Sequence, residues 1–248
     1  MVSFAWRRYF LVIALLLIHP IVQADPIQTR RYQNRGVDPE TNQERYLEET
    51  TERVDAGQAV EGRVIYRIPP GTIVARKQIH FGPHPAKPSF RFDDERDGYA
   101  KGVTVEGDTV TVYFRPTGGG PFQSKVLKIP EPVVIDAGVH YFIQAHWQTL
   151  IQGDPLAFNF VIPRRLDYYR LQITRTDPEQ KGPETRVRFD IKPANLWLSL
   201  GSGITGWGTT RLTYDVKTRE PLEYEGVSLI HDENGKSYPV KGIYHYPP

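Results

Sequence analysis

The spacing of apolar residues along the chain predicts a succession of short strands interrupted by one helix. From Val139 to Ile151 the side chains Val139, Phe142, Ile143, Trp147, Leu150 and Ile151 recur at intervals of three and four, which gathers them on one helical face. Asp136 stands where a start cap belongs and Gly153 where the helix should stop, so one amphipathic helix is expected over about residues 137–151. Beyond it the period falls to two: Phe158, Phe160 and Ile162 point one way, Asn159 and Val161 the other. The same alternation returns in Tyr169, Leu171 and Ile173, in Val187, Phe189 and Ile191, and in Leu196, Leu198 and Leu200. Leu212, Tyr214 and Val216 then lead through Lys217 to Pro221 into Leu222 and Tyr224, where Gly226 suits a bulge.

Before the helix, Val64, Tyr66 and Ile68 alternate up to a turn at Pro69-Pro70-Gly71, and Ile73 to Phe81 form the returning strand. A loop rich in Pro and His leads from Gly82 to Pro88 and on to Phe90 and Phe92. The sharpest local signal runs from Val103 to Val112. A two-residue Gly107-Asp108 loop suits a type II′ turn and sets Val105 opposite Val110 and Val103 opposite Val112. Val126 to Ile129 reads as a short strand, and Asp232 to Gly235 as a turn between Val227–Ile230 and a last strand from Ser237 to Tyr246. Arg45 to Val54 reads equally as strand or extended loop. No repeat or linker divides the chain, so residues 45–248 read as one mainly β domain. Its expected form is an antiparallel meander, on the order of a dozen strands, making a strongly curved or barrel-like sheet. Residues 25–44 are polar, lack a period, and are expected to be a loose N-terminal arm.

At the N-terminus, Arg7 and Arg8 precede an apolar run from Tyr9 to Ile18, and Val22-Gln23-Ala24 supplies small residues where a signal peptidase cuts. Residues 1–24 are therefore expected to be a signal peptide, with the mature chain beginning at Asp25 in the periplasm. With no cysteine in the chain, lipoprotein attachment and disulfides are both excluded, and no membrane anchor is expected after processing. Removing two arginines from a formal charge of +2 leaves the mature chain near neutral, which argues against a nucleic-acid partner. The 14 Tyr, 11 Phe and 4 Trp favour a β-rich fold.

Catalytic signatures are sparse. Asp93-x-Glu95-x-Asp97-Gly98 resembles the start of a calcium loop, but Thr104 stands where a bidentate Glu is needed, and an arginine-paired strand end explains the run. His80 and His84 lack a third ligand at metal-site spacing, so no metal or cofactor is expected. Gly201-Ser202-Gly203 and Gly206-Trp207-Gly208 lack the Lys-Ser/Thr pair and the helix of a phosphate loop. The aromatics Tyr168, Tyr169, Trp197, Trp207, Tyr214 and Tyr224 concentrate after the helix, as ligand-facing rings of a barrel wall would. A packed core with tyrosines at its rim is the simpler account of them.

Three stretches carry a resemblance: Phe90 to Tyr99, Pro163 to Tyr169, and Thr213 to Asp215 with Leu222 to Ser228, together with Asp232 to Tyr238. In these the chain resembles a family of exported, uncharacterised proteins of Gram-negative bacteria. The resemblance implies a periplasmic setting and carries no activity or catalytic residue. The leading expectation is a non-enzymatic periplasmic protein binding a hydrophobic or amphiphilic, lipid-like molecule in a curved sheet. The alternatives are an envelope protein-interaction or assembly factor, a hydrolase using the Asp93–Asp97 acids with His80 or His84, and a transmembrane barrel.

Overall fold

Each turn signal hands the chain back beside the strand it has just left, and the result is a continuous meander. The computed structural model describes residues 27–176, 185–194 and 209–247. The expected signal peptide, the Leu196–Leu200 strand, the glycine loop, Trp197 and Trp207 lie outside the described residues. The first eight strands are β1 (Gln28–Val37), β2 (Glu44–Asp55), β3 (Gln58–Ile68), β4 (Thr72–His80), β5 (Ser89–Asp94), β6 (Ala100–Glu106), β7 (Thr109–Arg115) and β8 (Gln123–Leu127). A two-residue β9 (Val133–Val134) and helices α1 (Gly138–Ala145) and α2 (Trp147–Ile151) follow. The chain then returns to strands with β10 (Leu156–Ile162), β11 (Asp167–Arg175), β12 (Arg186–Pro193), β13 (Thr210–Asp215), β14 (Pro221–Val227) and β15 (Pro239–His245).

All fifteen strands share one sheet, in the order β8-β7-β6-β5-β4-β3-β2-β1-β15-β14-β13-β12-β11-β10-β9. Neighbours are antiparallel except β9 and β10, which run parallel. The pairing of β1 with β15 welds the two runs together. The sheet is strongly curved but not closed, since its order ends at β8 and β9. Its ends approach each other all the same: a 3-10 turn over Pro163–Arg165, between β10 and β11, packs on β6 and β7.

Two apolar cores result. In the first, Tyr46, Tyr66, Phe90, Phe92, Val103 and Val112 from β2 to β7 meet Val133, Ile135, Val161 and Ile230. In the second, Phe142, Ile143, Trp147 and Leu150 of the helices cover Phe158, Leu171, Ile173, Phe189, Leu212 and Tyr214. Trp147 meets Phe189 and Tyr214 edge-on at 5.8 and 5.9 Å. Each such large side chain, fully buried, contributes about 1.5–3 kcal/mol. Strand β10 divides the cores, Phe158 serving one and Val161, on its opposite face, the other.

The expected hairpin forms in the expected register, Val105 opposite Val110 and Val103 opposite Val112, with Gly107 at φ +58°. Other expectations need correction. The loose arm is instead β1, ten residues in the middle of the sheet, because its outer face is solvated and its inner face, Arg30, Tyr32 and Asn34, is polar rather than apolar. The single helix is two, broken at His146 (φ −108°, ψ 22°). Asp136 does not cap α1; it sits at φ +45° and its carboxylate accepts from Lys77 at 2.8 Å. The bulge in the β13–β14 pair falls between Thr213 and Tyr214, not at Gly226, which instead lies under the Tyr224 ring.

Where β1 meets β15, Gly36 stands directly opposite Gly242. A Cβ on Gly36 would lie 2.6 to 2.8 Å from three atoms of the buried Tyr46 ring. Gly36→Ala should therefore destabilise the protein by about 1–3 kcal/mol, the usual cost of overpacking. Gly82→Ala, where no atom lies within 4 Å, is the control. Urea unfolding of both variants measures the difference, and equal midpoints would remove the close-packing account.

Candidate functional site

Successive strands bring one polar row after another onto the concave face. Tyr244, Asn34, Glu48 and Tyr66 are consecutive cross-strand partners on β15, β1, β2 and β3. The next row is Tyr32, Thr50, Val64, Lys77, Phe92 and Lys101, and the next begins with Arg30 and Glu52. Alternation thus places three tyrosines and six ionisable or amide groups inside the curl, next to Val64 and Phe92 of the first core. Asp136 enters from the start of α1 and meets Lys77.

Around Glu48 the chemistry is tight. Its side chain accepts from Asn34 Nδ2 at 3.1 Å, and the residue is 7% exposed. Burial raises its carboxyl to about 7, against the opposing pull of Lys77 and Asn34. Burial also lowers Lys101 to about 8, and its ammonium rests over the rings of Phe92 and Tyr99 at 5.1 and 5.9 Å. Burial pushes the Asp136 carboxyl up, but Lys77 outweighs this and holds it below its ordinary value. Three buried polar atoms here find no hydrogen-bond partner: Asn34 Oδ1, Tyr46 Oη and Tyr66 Oη. The Tyr46 hydroxyl lies near Glu48 without reaching hydrogen-bond geometry.

A second cluster adjoins this one. Arg30 donates twice to Glu52, from Nε at 3.0 Å and a terminal nitrogen at 2.6 Å, and Tyr32 donates to the other carboxylate oxygen at 3.1 Å. Tyr32, Tyr244 and Tyr246 group their rings at 5.5 to 6.4 Å, and all three remain half-buried within the curl. From α1, Tyr141 faces the Arg30–Glu52 pair, while His140 stacks on Tyr214 at 5.8 Å. Burial, reinforced by Arg30, lowers the His140 imidazole to about 3, so it is neutral at ordinary pH.

Of the aromatics singled out from the sequence, the four described, Tyr168, Tyr169, Tyr214 and Tyr224, are shared between the two cores. Tyr168 packs half-buried against the first core and its neighbour Tyr169 against the second, on opposite faces of β11. Tyr214 is buried in the second core, and Tyr224 touches both cores and donates to the Val227 carbonyl at 2.7 Å. These last two border the tyrosine cluster; Trp197 and Trp207 lie outside the described residues. The acids of Asp93–Asp97 are dispersed among local partners: Asp93 pairs with Arg91, Asp94 with Arg96, Glu95 with Arg76, and Asp97 accepts from the Tyr99 amide. Among the described residues no group of three or more His, Asp or Glu side chains is placed to hold a metal ion, and no helix is long and apolar enough to cross a membrane. On the convex side a shallow groove of about 370 Å³ is lined by Arg63, Gln78, His80, Ser89, Thr104 and Tyr113.

No family model and no curated protein matches the chain. Among solved structures it is similar to one from Brucella abortus, described as a beta-barrel-like protein of domain of unknown function DUF1849. The two are 8% identical with a TM-score of 0.44, covering 91% of this chain and 100% of that one.

The Glu48 environment makes a signed prediction. Unfolded, this carboxyl should titrate near 4.5; folded, it keeps its proton to about pH 7. Its contribution to stability is complete below pH 4.5 and is lost as pH rises through about 7. Glu48→Gln mimics the protonated acid, so relative to wild type it should gain about 3 kcal/mol across that window. Urea unfolding of both proteins at matched pH values tests this; stability curves that stay parallel would refute it.

Proposed function

We propose that the protein is a non-enzymatic periplasmic binding protein that holds one small amphiphilic molecule within the concave face of its sheet. The carrying observation is the trio Asn34 Oδ1, Tyr46 Oη and Tyr66 Oη, buried around Glu48 with no hydrogen-bond partner among the described residues. Leaving a buried polar group unpaired costs about 1–3 kcal/mol, so three together favour a molecule that supplies the missing bonds. The adjoining rings of Tyr32, Tyr244 and Tyr246 offer an apolar wall with polar tips, suited to the other half of an amphiphile. Hydrogen-bonding groups at one end and aromatic rings at the other fix its orientation. The periplasmic setting rests on the signal-like residues 1–24. The hydrolase alternative gains no support, because each acid from Asp93 to Asp97 is already engaged by an arginine or a backbone amide.

Native mass spectrometry of protein purified without detergent from a Gram-negative periplasm, followed by solvent extraction, tests this reading. A discrete adduct is expected in the wild type and a weaker one in Tyr66→Phe. With the adduct extracted, Tyr66→Phe should be as stable as wild type or more so by about 1 kcal/mol, since it deletes an unpaired hydroxyl. A protein that carries no adduct, together with a Tyr66→Phe variant that is less stable, would overturn the proposal.

A further inference from the structure

The two ends of the sheet are finished differently. Edge strand β9 is two residues long and buried, Val133 at 4% and Val134 at 0% exposure. Edge strand β8 is five residues long and exposed at four of them. Among the described residues it pairs with β7 alone, and its other side presents backbone groups with no strand partner there, the template on which a further strand can be laid.

Side chains on β8 specify what that strand should be. On the outer face Phe122 and Val126 are 48% and 62% exposed, and the Phe122 ring meets Tyr113 at 6.1 Å and lies under Arg115 at 4.7 Å. On the opposite face of the same strand stands Lys125, and Lys128 follows just beyond the strand end; both are exposed, and neither makes an ion pair with any described residue. From Thr117 to Pro130 the chain contains no Asp or Glu. A strand added here would set its alternate residues beside an apolar outer patch and a cationic inner one. A second copy of β8 would instead bring Lys125 against Lys125, a like-charged cross-strand pair.

We infer that β8 is a docking edge for an extended segment of another protein in which apolar and acidic residues alternate. The added strand takes main-chain hydrogen bonds from β8, packs its apolar residues on Phe122 and Val126, and pairs a carboxylate of its other face with Lys125, while Lys128 adds positive charge just beyond the strand end. This site is separate from the concave face and stands or falls independently of the ligand there.

Titration of the whole mature protein with two synthetic peptides tests it, one alternating valine and glutamate, the other valine and lysine. The glutamate peptide should bind and slow amide exchange along β8, and the lysine peptide should not. Lys125→Glu, an exposed change that leaves the fold intact, should weaken the glutamate peptide by about five- to tenfold and admit the lysine peptide. Val126→Pro should abolish binding of the glutamate peptide. Equal binding of the two peptides, binding of neither, indifference to Lys125→Glu, or a protein dimer dissolved by Val126→Pro would overturn the inference.

Discussion

The whole architecture hangs on the junction of the first strand with the last. Among the described strands, β1 and β15 form the one ladder that joins the run β2 to β8 to the run β14 to β9, so a sheet of this breadth exists because that pair forms. The junction depends on two facing glycines. The space a Gly36 side chain would take is filled by the Tyr46 ring, and the space at Gly242 by the Asn34 amide. Side chains from neighbouring strands thereby lie flat across the seam, the sheet can curl tightly there, and Asn34 is delivered to Glu48. Structure and candidate site share one cause.

Stability and specificity come from neighbouring side chains. The two apolar cores supply the burial that holds the sheet in its curl. The polar side chains set beside them work against folding: a carboxyl raised to about 7 and an ammonium lowered to about 8 both register the cost of desolvation. Buried ion pairs such as Lys77–Asp136 contribute little net stability in such surroundings. An apolar lining would pack as well and cost less. The polar lining is therefore better explained by what it can bind than by what it holds together.

Much of the fold was legible in the sequence because most strands follow the rule that one face is apolar. The Val103–Val112 hairpin, the helical face from Phe142 to Leu150 and strands β12 and β13 obey it. β1 escaped because its inner residues are Arg30, Tyr32, Asn34 and Gly36, which look like loop when burial is judged by hydrophobicity alone. The site was missed for the same reason, since it is made of the residues that spoil the pattern in β1 and β2. A signal was present in Glu48, Thr50 and Glu52, polar residues at strict alternation beside Tyr46. The break at His146 was invisible, because the apolar spacing of three and four runs through it undisturbed.

The openness of the sheet follows from how each end is chemically finished. Closure would require β9 to donate to β8, yet β9 is entered through Pro130, Glu131 and Pro132, two of which have no amide hydrogen to give. The carbonyls of both prolines are already taken on the other side, Pro132 by the Asn159 amide at 2.8 Å and Pro130 by the Asn159 side chain at 2.6 Å. With β9 held to β10 and unable to reach across, the 3-10 turn at Pro163–Arg165 takes the space over β6 and β7 instead. β8 is thus left outside the curl, unpaired on one side and guarded against its own kind by lysine. An edge that no described residue covers and no proline or bulge blunts is one that a complementary strand can extend.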